Sequence, residues 1–174
     1  MTSPSEPLDW KALYREAYEQ HQAREYPAAV RDHGHLKCTY PKVHTANGLS
    51  RMVANHLTWT GGHGEVTKNM GTPRKKTYQK FSLQTGGLVT VDNGIEWRPG
   101  AGTKGTTDVK GHMKIPGWPH PVPVYAEIKI GRDTMRDAQE RYRERVASTG
   151  ALHVICKTPE DWFRFWLEKV GRGG

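Results

Sequence analysis

Residues 126–133, with the sequence AEIKIGRD, constrain the fold of this chain most strongly, because they place two charged side chains inside a run that is otherwise typical of a buried strand. Side chains alternate between the two faces of a strand, so Glu127 and Lys129 share one face and the isoleucines occupy the other. Burying a lone charge is costly. The pair is therefore either a compensated structural ion pair or part of a site that binds a charged group.

The charge balance of the chain favours a polyanionic partner. Its 174 residues include 26 Lys and Arg against 18 Asp and Glu, a formal net charge of +8, and the excess begins at about residue 51. No apolar run approaches the ~20 residues of a membrane-spanning helix, and the start MTSPSEPLDW does not resemble a signal peptide. Cys38 and Cys156 lack the spacing of a zinc site or a disulfide framework. We expect a soluble cytoplasmic protein that binds nucleic acid and no membrane.

The residue pattern predicts two parts, a polar helical arm over residues 1–43 and one α/β domain over residues 44–174. The arm has one helix, from Asp9 to about Arg24. The domain elements, in order, are a helix opening at Asn47 and stopped by Gly61, a basic loop at 73–76, a β-hairpin of strands 78–83 and 88–97 with Gly86-Gly87 and Asn93-Gly94 as turn signals, antiparallel strands near 106–113 and 124–130, a helix over 134–148, a strand over 152–156 and a last helix opening at Pro159.

Pairing of the strands near 106–113 and 124–130 brings a second carboxylate to the charged pair. Asp108 then converges with Glu127 and Lys129 at one end of the sheet. Two adjacent carboxylates repel each other and need a cation, and Mg²⁺ prefers oxygen ligands, so Asp108, Glu127 and the backbone carbonyl of Ile128 form a candidate metal site. Lys129 would then stabilise developing charge. The alternative is an ionic ladder on a solvated face, with Asp108 as an ordinary turn residue.

Three segments carry a resemblance to a known family. GTTDVKGH, YAEIKIGRDTMRDAQERYRERVASTGALHVICKTPEDW and TANGLSRMVANHLTWTGG resemble the VRR-NUC branch of the PD-(D/E)xK nuclease superfamily, especially its small stand-alone phage members, over residues 45–170. The resemblance implies a restriction-endonuclease-like fold, a mixed central sheet flanked by helices. It also implies that Asp108 and Glu127 bind Mg²⁺, with Mn²⁺ as a substitute, that Lys129 is the catalytic lysine, and that Gln139 is the helix glutamine of the fourth motif.

The family's activity sets the functional expectation. The resemblance implies Mg²⁺-dependent cleavage of DNA phosphodiester bonds, and several members resemble Holliday-junction resolvases that act as homodimers. We therefore expect a structure-specific DNA endonuclease of a bacterial cell, encoded by a phage, with branched or duplex DNA as its partner. Thr107 stands where the family commonly has Pro, and residues 46–60 contain no carboxylate for a further ligand. Glu65 is a candidate substitute, and Asn55 and His56 are alternatives.

Basic residues near the motifs are the candidate DNA contacts. On a helical wheel, Arg132, Arg136 and Arg143 lie beside Gln139. The basic loop adds a run with no acidic residue between Lys68 and Lys80. The full candidate set is Lys68, Arg74, Lys75, Lys76, Lys80, Lys104, Lys110, Arg132, Arg136 and Arg143.

Other functions remain open on the residues alone. A non-catalytic DNA-binding module on a nuclease fold, a monomeric nicking or flap-cutting enzyme, and an RNA-directed nuclease share the same charge and fold pattern. Trp118, in the Pro-rich segment IPGWPHPVP, is expected to be exposed at a hairpin tip. There it would stack on an unpaired base, pack at a dimer interface or anchor the turn.

Overall fold

The computed structural model describes residues 7–67, 72–98 and 106–171. Its elements are α1 (Trp10–Glu25), α2 (Pro27–His33), α3 (Ala46–Trp59), β1 (His63–Val66), β2 (Thr72–Ser82), β3 (Gly87–Arg98), β4 (Val109–Met113), β5 (Val122–Ile128), α4 (Asp137–Ala147), β6 (Leu152–Cys156) and α5 (Pro159–Gly171). The chain divides into two compact units, Met1–Thr67 with Lys104–Gly174, and Lys68–Thr103.

The larger unit is built on a mixed four-stranded sheet with the strand order β1-β4-β5-β6. β4 pairs antiparallel with both β1 and β5, which confirms the predicted antiparallel pairing of the two strands that carry the site. β6 joins β5 in parallel, after the chain crosses over through α4. The described residues therefore form a mixed α/β fold with a mixed sheet, as predicted at this level, and they contain five helices where the sequence predicts four.

One face of this sheet packs in the core against α3 and α5. α3 opens on Thr45, whose side chain accepts a hydrogen bond from the Gly48 amide, and it buries residues at helical spacing, including Leu49 and Met52. Trp162 of α5 is fully buried in the same cluster. Tyr14 of α1 also lies in this core, so the predicted polar helix contributes to it. The division at residue 43 between an arm and a nuclease domain stays a prediction.

The opposite face of the sheet carries Glu127 and is partly covered by α4. Tyr125 meets Tyr142 of α4 in an edge contact with ring centroids 6.1 Å apart. Residues paired directly across strands project from the same face. Glu65, Lys110 and Tyr125 form such a row, so they lie on the Glu127 face.

The smaller unit is a two-stranded antiparallel ribbon of β2 and β3, which confirms the predicted hairpin. Residues 73–76 were predicted as a loop, and this is wrong, because they lie in β2 and pair with β3. Asn93-Gly94 was predicted as a turn signal and is instead a bulge. The register shifts between Lys75 and Thr77, and Gly94 adopts a positive φ of 85° there.

Helix α4 begins later than predicted. Gln139 caps it, because its Oε1 accepts a hydrogen bond from the backbone amide of Arg136, so the helix starts at Asp137 and not at residue 134. Arg132 and Arg136 therefore precede the helix, and the predicted stripe of three arginines on one helical face is wrong. The sequence pattern also missed the short elements α2 and β1.

Among the described residues, no helix has the length and apolar character needed to span a membrane.

Candidate active site

The charged pair lies where β5 ends beside β6. The Glu127 side chain is 1% exposed and the Lys129 side chain 4%, with Lys129 Nζ 3.1 Å from Glu127 Oε1. The backbone amide of Lys129 donates to the carbonyl of Cys156 at 2.9 Å, which holds this end of the strand against β6. Because both side chains are buried, they form an enclosed ion pair and not a ladder on a solvated face.

Asp108 lies directly before β4 and is fixed to the same strand end. Its Oδ2 accepts a hydrogen bond of 2.9 Å from the backbone amide of Ile128, and its own carbonyl accepts one of 2.7 Å from the Thr67 amide. Asp108 is partly buried. The structure thus brings Asp108, Glu127 and Lys129 together, as the pattern predicts.

Gln139 connects the charged pair to α4. Its Oε1 accepts from Lys129 Nζ at 2.9 Å, and its Nε2 donates to Glu127 Oε1. The same Oε1 accepts the Arg136 amide, so the residue that starts the helix also orients both site side chains. Gln139 therefore lies within the site, in contact with both charged side chains.

Asp133 is a site residue that the sequence reasoning missed. Its Oδ2 lies 3.4 Å from Lys129 Nζ, and its side chain is half exposed. The chain reaches this position through a turn in which Gly131 has a φ of 63°. The sequence contains one signal for this contact, a carboxylate four residues after the lysine of the predicted buried strand.

The site is electrostatically short of positive charge. Burial, and next the nearby charge of Asp108, raise the pKa of Glu127 to about 7, although Lys129 opposes the shift. Burial also raises the pKa of Asp108, against the hydrogen bond from the Ile128 amide. Glu127 Oε2 is buried and has no hydrogen-bond partner among the described residues. An additional cation would therefore be stabilised here.

A magnesium ion fits this donor set. Among the described residues, no cluster of three or more His, Cys, Asp or Glu side chains forms a metal site. Asp108, Glu127 and the carbonyl of Ile128 are nevertheless hard oxygen donors, and Mg²⁺ is usually held by one or two carboxylates with several waters and phosphate oxygens. Glu127 Oε2, which has no hydrogen-bond partner in the described part of the chain, is the oxygen free to accept a metal ion.

The other candidate ligands are not part of this group. Glu65 is exposed on β1, and β4 separates it from β5, so two strand spacings, about 10 Å, lie between the two backbones. Asn55 donates to the hydroxyl of Tyr14 at 3.1 Å. His56 is buried in the core and accepts the indole N–H of Trp162 at 3.2 Å. Both residues are therefore engaged elsewhere.

The basic candidates fall into three groups. Lys110 lies on the Glu127 face of the sheet, paired with Tyr125. Near α4, Arg132 and Arg136 are exposed, whereas Arg143 pairs with Glu140 at 3.1 Å. The third group lies on the β2–β3 ribbon and consists of Arg74, Lys75, Lys76 and Lys80. Lys68 and Lys104 lie outside the described residues.

Comparison with protein-family models, curated proteins and solved structures gives no match for this chain. The resemblance to the VRR-NUC branch therefore rests on the motifs quoted above. The fold and the site define a mixed α/β protein with an Asp-Glu-Lys-Gln group at one end of its sheet, in which the Glu-Lys pair is buried.

Proposed function

We propose that this protein is a Mg²⁺-dependent endonuclease of the restriction-endonuclease-like fold that hydrolyses DNA phosphodiester bonds. The observation that carries the proposal is the convergence of Asp108, Glu127 and Lys129 at one strand end, where Glu127 Oε2 is buried and has no hydrogen-bond partner among the described residues. Carboxyl pKa values that burial raises at one strand end, as for Asp108 and Glu127, are typical of functional sites.

The metal ligands in this proposal are Asp108, Glu127 and the carbonyl of Ile128. When bound there, Mg²⁺ supplies Lewis acidity toward a phosphoryl oxygen, and Mn²⁺ substitutes for it. Two carboxylates alone would repel a phosphate group, so the donor set suits this substrate only with the cation in place. Asp108 is held for this role by the amide of Ile128.

The protein's own contribution to the chemistry is positioning and charge. Lys129 places an ammonium group beside Glu127, where its charge stabilises negative charge that develops on the phosphate. Gln139 and Asp133 hold the ammonium in this position. Because these partners are fixed before substrate arrives, little reorganisation accompanies the reaction.

The substrate and the assembly follow from the resemblance and the charge. We propose that the enzyme is structure-specific and resembles a Holliday-junction resolvase, and that it acts as a homodimer on branched or duplex DNA in the cytoplasm of a bacterial cell, as a phage-encoded protein. The net charge of +8 supports a nucleic-acid partner. A non-catalytic DNA-binding module would have no use for a buried carboxylate oxygen that lacks a partner among residues 7–67, 72–98 and 106–171, because such an oxygen costs stability.

A cleavage panel tests the activity. Purified protein with Mg²⁺ or Mn²⁺ is incubated with linear duplex, flap, single-stranded and four-way-junction DNA, and with RNA of matched sequence. We expect metal-dependent cleavage of DNA that is lost in Asp108→Asn and Glu127→Gln, while DNA affinity changes by less than a few fold. Glu144→Gln, an exposed carboxylate on α4, is the matched control and should retain full activity.

Two results would overturn the proposal. Undiminished turnover by Glu127→Gln would remove the site assignment, and binding of DNA without cleavage by the native protein, with either metal, would favour the non-catalytic module. Preferential cleavage of RNA would favour the RNA-directed nuclease.

A further inference from the structure

Most of the basic side chains of strand β2 lie on one face of the two-stranded ribbon. Along β2, Arg74, Lys76, Tyr78 and Lys80 alternate with the remaining residues, so all four project from one face, which we call the basic face. All four side chains are exposed. Residues 72–98 carry five basic residues against two acidic ones.

The opposite face of the ribbon differs in character. There Lys75 lies across from Ile95, and its Nζ is 3.8 Å from Asp92 Oδ2. The same face carries Phe81 opposite Leu88, and both are exposed. The strand therefore divides the run of basic residues at 74–76. Lys75, a candidate DNA contact from the sequence, lies outside the basic face, and its two neighbours lie on it.

Two of the three lysine and arginine side chains on the basic face have no ion-pair partner among the described residues. Glu96 lies across from Arg74, but Val89 lies across from Lys80, and among the described residues no ion pair involves Lys76 or Lys80. Side chains two residues apart on a strand are about 7 Å from each other, so these like charges repel unless anions lie between them. A row of phosphates is the partner that this spacing suits.

We infer that the basic face of the ribbon binds the major groove of a DNA duplex. The groove is about 12 Å wide and admits a two-stranded β-ribbon. From Arg74 to Lys80 the strand spans about 20 Å, the axial length of about six base pairs. The lysines and the arginine contact phosphates or guanine edges, and the Tyr78 hydroxyl donates to a phosphate. That the duplex is DNA rests on the proposed function.

Adjacent lysines on opposite faces provide the test. Lys76→Gln and Lys75→Gln remove the same charge from neighbouring exposed positions, and only the first lies on the basic face. Duplex affinity is measured by fluorescence anisotropy at several salt concentrations, in the Glu127→Gln background and without divalent metal, so that the result does not depend on cleavage. We expect Lys76→Gln to weaken binding several-fold and to lower the salt slope by about one. Lys75→Gln should leave the affinity within about twofold of the parent and the salt slope unchanged.

Chemical footprinting identifies the groove. Guanine N7 lies in the major groove, so dimethyl sulfate should be excluded from guanines over about six base pairs in the complex. The protection should be lost in the double variant Lys76→Gln with Lys80→Gln, whose fold is checked by circular dichroism. Equal effects of Lys75→Gln and Lys76→Gln, unprotected guanine N7 or equal affinity for single-stranded DNA would overturn the inference. Because catalysis is absent from these assays, such a result leaves the nuclease proposal standing.

Discussion

Lys129 Nζ lies 3.1 Å from Glu127 Oε1, but the two members of this buried pair are not equally satisfied. The ammonium also contacts Gln139 Oε1 at 2.9 Å and Asp133 Oδ2 at 3.4 Å, so each of its three protons has an acceptor. Glu127 keeps one buried oxygen without a partner among the described residues. In a purely structural ion pair, every buried polar atom of both side chains would have a hydrogen-bond partner, because a buried polar atom without one costs desolvation free energy.

Lys129→Met tests whether the ammonium acts on the substrate. We expect single-turnover cleavage to fall by about 10²–10³-fold, because one preorganised charge at the reacting group is lost. Binding of Mn²⁺, measured by calorimetry, should remain, since the carboxylates are unchanged. Lys157→Met, at an exposed lysine, serves as the control. A parallel loss of metal affinity would instead make Lys129 a structural partner of Glu127.

Gln139→Ala tests the positioning role of the helix glutamine. The variant removes the shared partner of Glu127 and Lys129, and we expect kcat to fall by about 10–100-fold. Kd for duplex DNA should be unchanged, because Gln139 lies among the site residues and not on the ribbon. Gln139→Glu keeps the acceptor for Lys129 but loses the donor to Glu127. Its kcat should therefore lie between the kcat of the parent and that of Gln139→Ala. An increase in Kd that accounts for the whole loss of activity would contradict this role.

The alternation of side chains along strands predicted the candidate site better than it predicted the two-stranded ribbon. The meeting of Asp108 with Glu127 follows from strand periodicity and a short connection, and the antiparallel pairing of β4 and β5 confirms it. Residues 73–76 look like a loop because they combine Pro73 with three cations, yet they form a strand through pairing with β3. The approach of Asp133 to Lys129 depends on a turn and on side-chain packing. Neither of these produces a periodic pattern in the sequence from which the contact could be predicted.

Acid should destabilise the protein through His56. Burial lowers its pKa from 6.5 to about 3, and the indole N–H of Trp162 occupies Nδ1, which a protonated imidazole would need as a donor. Below pH 6.5, His56 therefore binds a proton in the unfolded chain, whereas in the folded chain it stays neutral down to about pH 3. This residue's contribution is complete above pH 6.5 and falls by up to about 1.4 kcal/mol per pH unit as the pH decreases.

Urea unfolding from pH 7.5 to pH 4 measures this dependence. His56→Gln, whose amide oxygen can still accept from Trp162, should give a shallower decrease of the free energy of unfolding with acid than the parent. His35→Gln, at an exposed histidine, should follow the parent. If the His56→Gln and parent curves run parallel, His56 titrates alike in both states and the assigned cause is wrong.

The last prediction is that the protein is a homodimer that cuts a four-way junction symmetrically. One active site cuts one strand, whereas resolution needs two coordinated nicks, and a two-fold dimer presents two equivalent sites to a two-fold substrate. Trp118, 61% exposed at the tip between β4 and β5, lines a cavity of about 500 Å³ with Trp166 and Val170 of α5, and is the aromatic anchor we expect at the interface. Light scattering coupled to size exclusion, with and without DNA, should give a dimer that Trp118→Ser weakens at least tenfold. Strand-resolved mapping should show paired nicks from the dimer. A monomer that nicks one strand in the presence of DNA would exclude the resolvase reading while leaving the nuclease chemistry intact.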